Sequence, residues 1–347
     1  MTENEGAGSS HRDTGGGSVA CATALRHDAC FHMKTMNYSR GHVLCLSAGG
    51  FHRVAYLDWG PVASDHVVLC VHGLARNSRD FDFLAAALAR DCRVICPDVV
   101  GRGDSEWLAD KSDYRFSTYL ADAAVLLARV TAPRRSVLSS LFGRWPAFRR
   151  AAKRIDWVGT SMGGLIGMLL AAKPGSPIRR LVLNDVGPFV PWGSLYRLKG
   201  YVGGERSFPS LGAAESWVRE ACAPFGRLTH KQWRHLARHS VQQARKGDYR
   251  LRYDPAIGQT LSGHSDPEFP IGPHFLAGVD LWSIWAQVRC PVLVLRGADS
   301  DVLSRHTLAR MQAEKPDVQV VEFDGAGHAP ALMDRDQIAA VTRFLLD

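Results

Sequence analysis

From about residue 52 onward, short apolar runs alternate with stretches of helical period. Residues 52–58 (HRVAYLD) alternate apolar and polar side chains and predict an antiparallel edge strand with one solvated face. Six further runs are almost continuously apolar, as strands covered on both faces must be: 67–72 (VVLCVH), 93–97 (RVICP), 155–159 (IDWVG), 179–184 (RRLVLN), 291–296 (PVLVLR) and 318–323 (VQVVEF). Helical patterns lie between them, for example 81–90 (FDFLAAALAR) and 118–130 (TYLADAAVLLARV). This alternation predicts an α/β fold whose mostly parallel sheet is flanked by helices.

One segment breaks the rhythm. Residues 188–285 hold no strong strand pattern but several helical ones, with many Trp and Tyr residues, Trp192 and Tyr196 among them. A strand-poor insertion between two sheet strands reads as a helical cap closing over the carboxyl ends of the strands. The expected organisation is a disordered, Gly-rich leader over 1–35, a first core part over 36–187, the cap over 188–285 and a second core part over 286–347.

Charge adds one local feature. The net charge of +8 is concentrated between Thr131 and Ile155, where seven basic residues stand without an acidic one; the remainder carries about +1. With no zinc-finger spacing and no RNA-binding aromatic signature, nucleic acid is not an expected partner. The insert mixes Leu, Phe and Trp with arginines, but Gly143 and Pro146 interrupt it, so it reads as an excursion packed on the rim of the sheet. The eight cysteines show no metal-binding spacing and read as reduced thiols. The leader lacks a signal-peptide pattern and no apolar run is long enough to span a bilayer. A cytoplasmic location without stable membrane insertion is expected; the pattern is silent on oligomeric state.

The chemistry centres on Gly159-Thr160-Ser161-Met162-Gly163, a G-x-S-x-G pattern. Alone it is weak, but it directly follows an apolar strand run and opens an apolar helix, as a strained serine turn requires. A serine hydroxyl needs a base. His328, in the small-residue loop DGAGHAP after the last strand run, is the candidate. The base needs an acid. Asp301, in GADSDVLS after the strand at 291–296, is favoured because the apolar pair Val302-Leu303 would anchor its loop; Asp299 reads as a turn cap and Asp185 as an outside candidate. The backbone N–H groups of Leu74, in the loop 72-HGLARNSRDFD-82, and of Met162 are the expected oxyanion donors. His72 looks conformational in that loop, and His72, Trp192 and Tyr196 are the residues expected near substrate. His235 and His239 share a helix face but lack the Glu of a zinc motif, so no metal is expected.

Together the HG loop, 97-PDVVGRGDS-105, the GTSMGG elbow, the acid loop and the GAGHAP loop resemble the α/β-hydrolase superfamily over about residues 42–347, outside the basic insert. The resemblance implies an eight-stranded sheet with a helical cap and a triad of Ser161, Asp301 and His328. Within the superfamily it resembles capped bacterial serine esterases, including hydrolases of short hydroxyalkanoate oligomers. It implies an acyl-enzyme route without a cofactor, acting on a small ester or short oligoester. A carbon–carbon bond hydrolase or an acyltransferase would use the same triad, and a non-hydrolytic receptor can share the fold. One departure concerns the acid: Ser300 stands three residues after Gly297, where many relatives carry Asp.

Overall fold

The computed structural model describes residues 37–132, 154–202, 204–244, 247–259 and 277–347. The leader over 1–35 and most of the basic insert lie outside the described residues, as do residues 260–276 of the expected cap. Residues Asn37–Asp347 form one unit.

Eight strands make the main sheet: β1 (Tyr38–Ser47), β2 (Gly50–Trp59), β3 (His66–Val71), β4 (Arg93–Pro97), β5 (Arg154–Thr160), β6 (Ile178–Asn184), β7 (Val292–Gly297) and β8 (Gln319–Phe323). They run in the order β1-β2-β4-β3-β5-β6-β7-β8. β2 pairs antiparallel with β1 and with β4, and every other pairing is parallel. β2 is therefore an inner strand. The edges belong to β8, which is only partly buried rather than covered on both faces, and to β1, whose alternation of outward Leu44 and Leu46 with inward Val43 and Cys45 is masked in the sequence because both faces carry apolar residues. Every residue of β3, β4 and β7 is buried, as their continuous apolar runs require.

The helices are α1 (Asp82–Leu88), α2 (Phe116–Thr131), α3 (Met162–Ala172), α4 (Trp192–Tyr201), α5 (Leu211–Ala221), α6 (His230–Ser240), α7 (Trp282–Trp285), α8 (Arg305–Glu314) and α9 (Arg335–Leu346). α2 packs with α3, and α1 with α9. α3 lies close against the sheet because Gly163, Gly164 and Gly167 stand where it meets the strands. A Cβ on Gly167 would collide with the fully buried Trp157 of β5, whose indole N–H donates to the Gly163 carbonyl at 2.9 Å. No described helix is long and apolar enough to cross a membrane.

The segment between β6 and β7 carries α4 to α7, yet it is not purely helical. Phe189–Pro191 pairs antiparallel with Gly278–Asp280 at its two ends, and Ser207–Phe208, Tyr249–Leu251 and Val241–Gln243 form a small three-stranded sheet. Strands of two or three residues are too short to leave a period in the sequence.

Candidate active site

β5 ends in a sharp turn into α3. Ser161 sits in it at φ 51°, the left-handed region a non-glycine residue adopts only when its surroundings hold it there. The flanking glycines make this possible. A Cβ on Gly159 would overlap the backbone of Gly163 and Gly164, and one on Gly163 would overlap the Val71 carbonyl at the end of β3. The Ser161 N–H donates to the Asn184 carbonyl at 3.0 Å, tying the turn to the end of β6.

His328 lies in the loop between β8 and α9. Its Nε2 is 2.9 Å from Ser161 Oγ, and its Nδ1 is 2.7 Å from Asp185 Oδ2. The carboxylate that meets His328 therefore stands at the end of β6, not in the loop after β7. Asp185 is fully buried; its Oδ1 accepts from the Gly297 N–H at 2.8 Å and its Oδ2 also accepts from Ser300 Oγ at 2.5 Å. Asp301 does not reach His328: its side chain is 51% exposed and pairs with Arg197 of α4. Its backbone carbonyl accepts from Ser194 Oγ of α4 at 2.7 Å. Asp299 is also exposed. This placement has a simple cause. β6 and β7 are parallel neighbours, so their carboxyl ends lie side by side and either can present a carboxylate to the same histidine. Here Ser300 spans the gap as a donor to Asp185.

Two residues absent from the sequence reading organise these loops. The Asn184 side-chain amide donates to Thr160 Oγ1 at 3.0 Å and to the Pro330 carbonyl at 2.9 Å, joining the serine turn to the histidine loop. Arg296, buried in β7, donates to the carbonyls of Ala298, Ser300 and Leu303 and shapes the loop that carries Ser300. An Asn directly before an Asp at a strand end was the available signal for the first; a cation in an apolar strand run was the signal for the second.

Leu74 follows Gly73 in the loop after β3, and Met162 follows Ser161. Met162 is the first residue of α3, where its N–H has no acceptor within the helix. The chain at Gly73 runs beside the serine, close enough that a Cβ there would sit 3.6 Å from Ser161 Cβ. Among the described residues, neither the Leu74 nor the Met162 N–H donates to a backbone carbonyl. His72 is not a substrate contact. It is fully buried, its Nδ1 donates to the Gly73 carbonyl at 2.7 Å and its Nε2 accepts from the Val99 N–H at 2.9 Å. Burial, reinforced by the nearby charges of Arg102 and Arg76, pushes its pKa down to about 3, so the ring is neutral and fits both bonds. The Gly73 carbonyl belongs to the same peptide group as the Leu74 N–H, so this bond fixes where that N–H points. Trp192 and Tyr196 stand on α4 with 41% and 78% of their surface exposed.

The α5–α6 pair is clasped to both loops. Arg76, two residues beyond Leu74, pairs with Asp80 at 2.7 Å and donates to Ser240 Oγ of α6 at 2.9 Å, while Asn77 donates to the His239 carbonyl. On the other side the Gly327 N–H, next to His328, donates to the Pro224 carbonyl at 2.7 Å. His235 and His239 meet Asp82 closely enough to form a three-residue cluster. A cation already serves that carboxylate: the Arg79 guanidinium donates to both its oxygens, at 2.5–3.0 Å, and stands 3.4 Å from His239 Nδ1.

A hydroxyl bonded to an imidazole, itself braced by a buried carboxylate, lets the imidazole take the hydroxyl proton as the oxygen attacks. A doubly flanked parallel sheet bearing this trio at its strand ends defines a class, the hydrolases of α/β architecture. The alpha/beta hydrolase family model matches residues 68–341, and the chain belongs to that family. A 3-hydroxybutyrate-oligomer hydrolase of Cupriavidus necator is 39% identical over 307 residues, which are 88% of this chain and 96% of that protein. A 2-(acetamidomethylene)succinate hydrolase of Mesorhizobium japonicum is 26% identical over 81% of this chain and 88% of its own. The solved structure of an alpha/beta hydrolase from Novosphingobium aromaticivorans, 34% identical, superposes with a TM-score of 0.72 over 90% of this chain and 99% of its own.

Proposed function

We propose that this hydrolase cleaves carboxylic esters through an acyl-enzyme intermediate, with short oligoesters of hydroxy acids such as 3-hydroxybutyrate as its substrate class. The observation that carries the reading is the continuous line Ser161 Oγ–His328–Asp185, at 2.9 and 2.7 Å. His328 takes the Ser161 proton as Oγ attacks the ester carbonyl carbon. The oxyanion faces the Leu74 and Met162 N–H groups. The tetrahedral intermediate collapses, the alcohol leaves with the proton from His328, and the acyl group remains on Ser161. His328 then deprotonates a water that attacks the acyl carbon, and returns that proton to Ser161 Oγ as the bond to the acyl carbon breaks and the acid departs. Asp185 accepts the Nδ1–H, which fixes the tautomer, and stabilises the imidazolium as it forms. No step requires a cofactor. The substrate class is supported by the Cupriavidus necator relative, whose similarity runs nearly the full length of both chains.

The test is acid release from 3-hydroxybutyrate dimer and trimer and from p-nitrophenyl butyrate, with Ser161→Ala as control. Turnover of the oligomers is expected, and the variant is expected to lose about 10⁶-fold in kcat. Wild-type turnover by Ser161→Ala would refute the mechanism. Hydrolysis of an enamide such as 2-(acetamidomethylene)succinate with the oligoesters untouched would refute the substrate class.

A further inference from the structure

Arg102 is fully buried and, among the described residues, has no carboxylate within ion-pair distance. It lies in the turn after β4, between Gly101 and Gly103, both at positive φ (84° and 58°), which turn its side chain inward. Its Nε donates to the Leu74 carbonyl at 2.9 Å, one Nη donates to the Val100 carbonyl at 2.7 Å and to Tyr119 Oη at 3.1 Å, and the other Nη lies 3.7 Å from Met162 Sδ. The guanidinium carbon stands over the rings of Tyr119 and Tyr114, at 5.0 and 5.8 Å.

Leu74 and Met162, the two residues whose backbone N–H groups face the developing oxyanion in the mechanism above, are thus both held by one side chain. A buried cation without a counter-anion is costly, and carbonyls and ring faces offset that only in part. The field of this cation acts in a low-dielectric site, where it favours negative charge forming nearby. The same field contributes to keeping the neighbouring His72 neutral.

We propose that Arg102 is a positioning residue of the oxyanion site: its contacts set the Leu74 and Met162 segments, and its charge stabilises the oxyanion of the tetrahedral intermediate. The proposal rests on Ser161 being the nucleophile. It gives the turn 97–105 a part in catalysis beyond shaping the loop.

The experiment compares Arg102→Gln and Arg102→Lys with the wild type in kcat, KM and the affinity for butylboronic acid, which adds to the serine oxygen as a tetrahedral anion. Folding is checked by circular dichroism and thermal melting. Arg102→Gln is expected to lose about 10–10² in kcat and the same factor in boronate affinity, with KM within about twofold, by analogy with loss of an oxyanion donor. Arg102→Lys, which keeps the charge, is expected to lose less in both. A purely structural role would lower the melting temperature without moving kcat and boronate affinity together. Either quantity staying within about threefold of wild type in folded Arg102→Gln overturns the proposal. Should only Arg102→Lys fold, a parallel fall of at least about threefold supports it and an unchanged boronate affinity overturns it. Ser161→Ala separates the two levels: boronate binding and turnover that survive in that variant defeat the serine reading itself.

Discussion

Asp185 reaches His328 because Asn184 ends β6 beside the serine turn and the next residue, at φ 57°, aims its carboxylate across the strand ends. Three donors converge on that buried carboxylate: the Gly297 N–H, Ser300 Oγ and His328 Nδ1. Asp301, seen from the chain alone, has the better setting, next to an apolar anchor at the end of a strand. The two assignments separate in one experiment. Asp185→Asn is expected to lower kcat by about 10³–10⁴, since an amide leaves the imidazole in the wrong tautomer. Asp301→Asn, which removes only a half-exposed pair with Arg197, is expected to stay within about twofold of wild type. A large loss in Asp301→Asn with none in Asp185→Asn would return the acid to the later loop. What the sequence made legible here were residues whose neighbours force a local shape: Ser161 between two obligate glycines, and His328 in a small-residue loop. Which of the candidate carboxylates meets His328 was not legible, because that is decided by which strands lie side by side, a tertiary fact.

At the scale of elements, the site is a junction of backbone segments packed closer than side chains would allow. α3 starts directly against the end of β3, and Gly163 has no room for a methyl group beside the Val71 carbonyl. Gly163→Ala must displace the start of α3, and with it Ser161 and the Met162 N–H. A loss of about 1–3 kcal/mol in urea unfolding is expected, of the size overpacking usually causes, together with a kcat at least about tenfold lower. A variant as stable and active as wild type would mean that this close approach is not obligatory. The buried parallel strands were readable because their apolar runs are continuous, and so were the helices between them. β1 and the short strands between β6 and β7 were not. The first has apolar side chains on both faces, and the others are shorter than any period. The clasp made by Arg76 and Asn77 on α6 likewise joins residues more than 160 positions apart, and no local pattern announces it.

Over the whole molecule, two histidines that fold without their proton make a part of the stability sensitive to acid. His72 is pushed down to about 3 by burial, and His239 to about 3 by burial together with the charges of Arg79 and His235. In the unfolded chain both titrate near the ordinary value of about 6.5. Between these limits the unfolded chain binds protons that the folded one refuses, so stability is full above about pH 6.5 and falls as pH drops toward 3, by up to about 1.4 kcal/mol per pH unit for a fully buried group. His52 works in the opposite sense. Burial disfavours its proton, but the hydrogen bond and charge of Asp122 on α2 outweigh burial and raise its pKa, so its contribution is present below about 6.5 and is lost as pH rises through the raised value. Substitution at His72 isolates the first effect, because the other groups remain in both proteins. In urea unfolding at pH 6.5, 5.5 and 4.5, the wild type is expected to lose stability more steeply than His72→Gln, whose absolute stability is lower but whose slope lacks one proton. The slope is the diagnostic, since any substitution in so enclosed a place lowers the intercept. Parallel profiles would mean that His72 takes up its proton in the folded protein. The Nε2 that accepts the Val99 N–H would then be a donor facing a donor, and the hold on the Gly73 carbonyl that orients the Leu74 N–H would need another explanation.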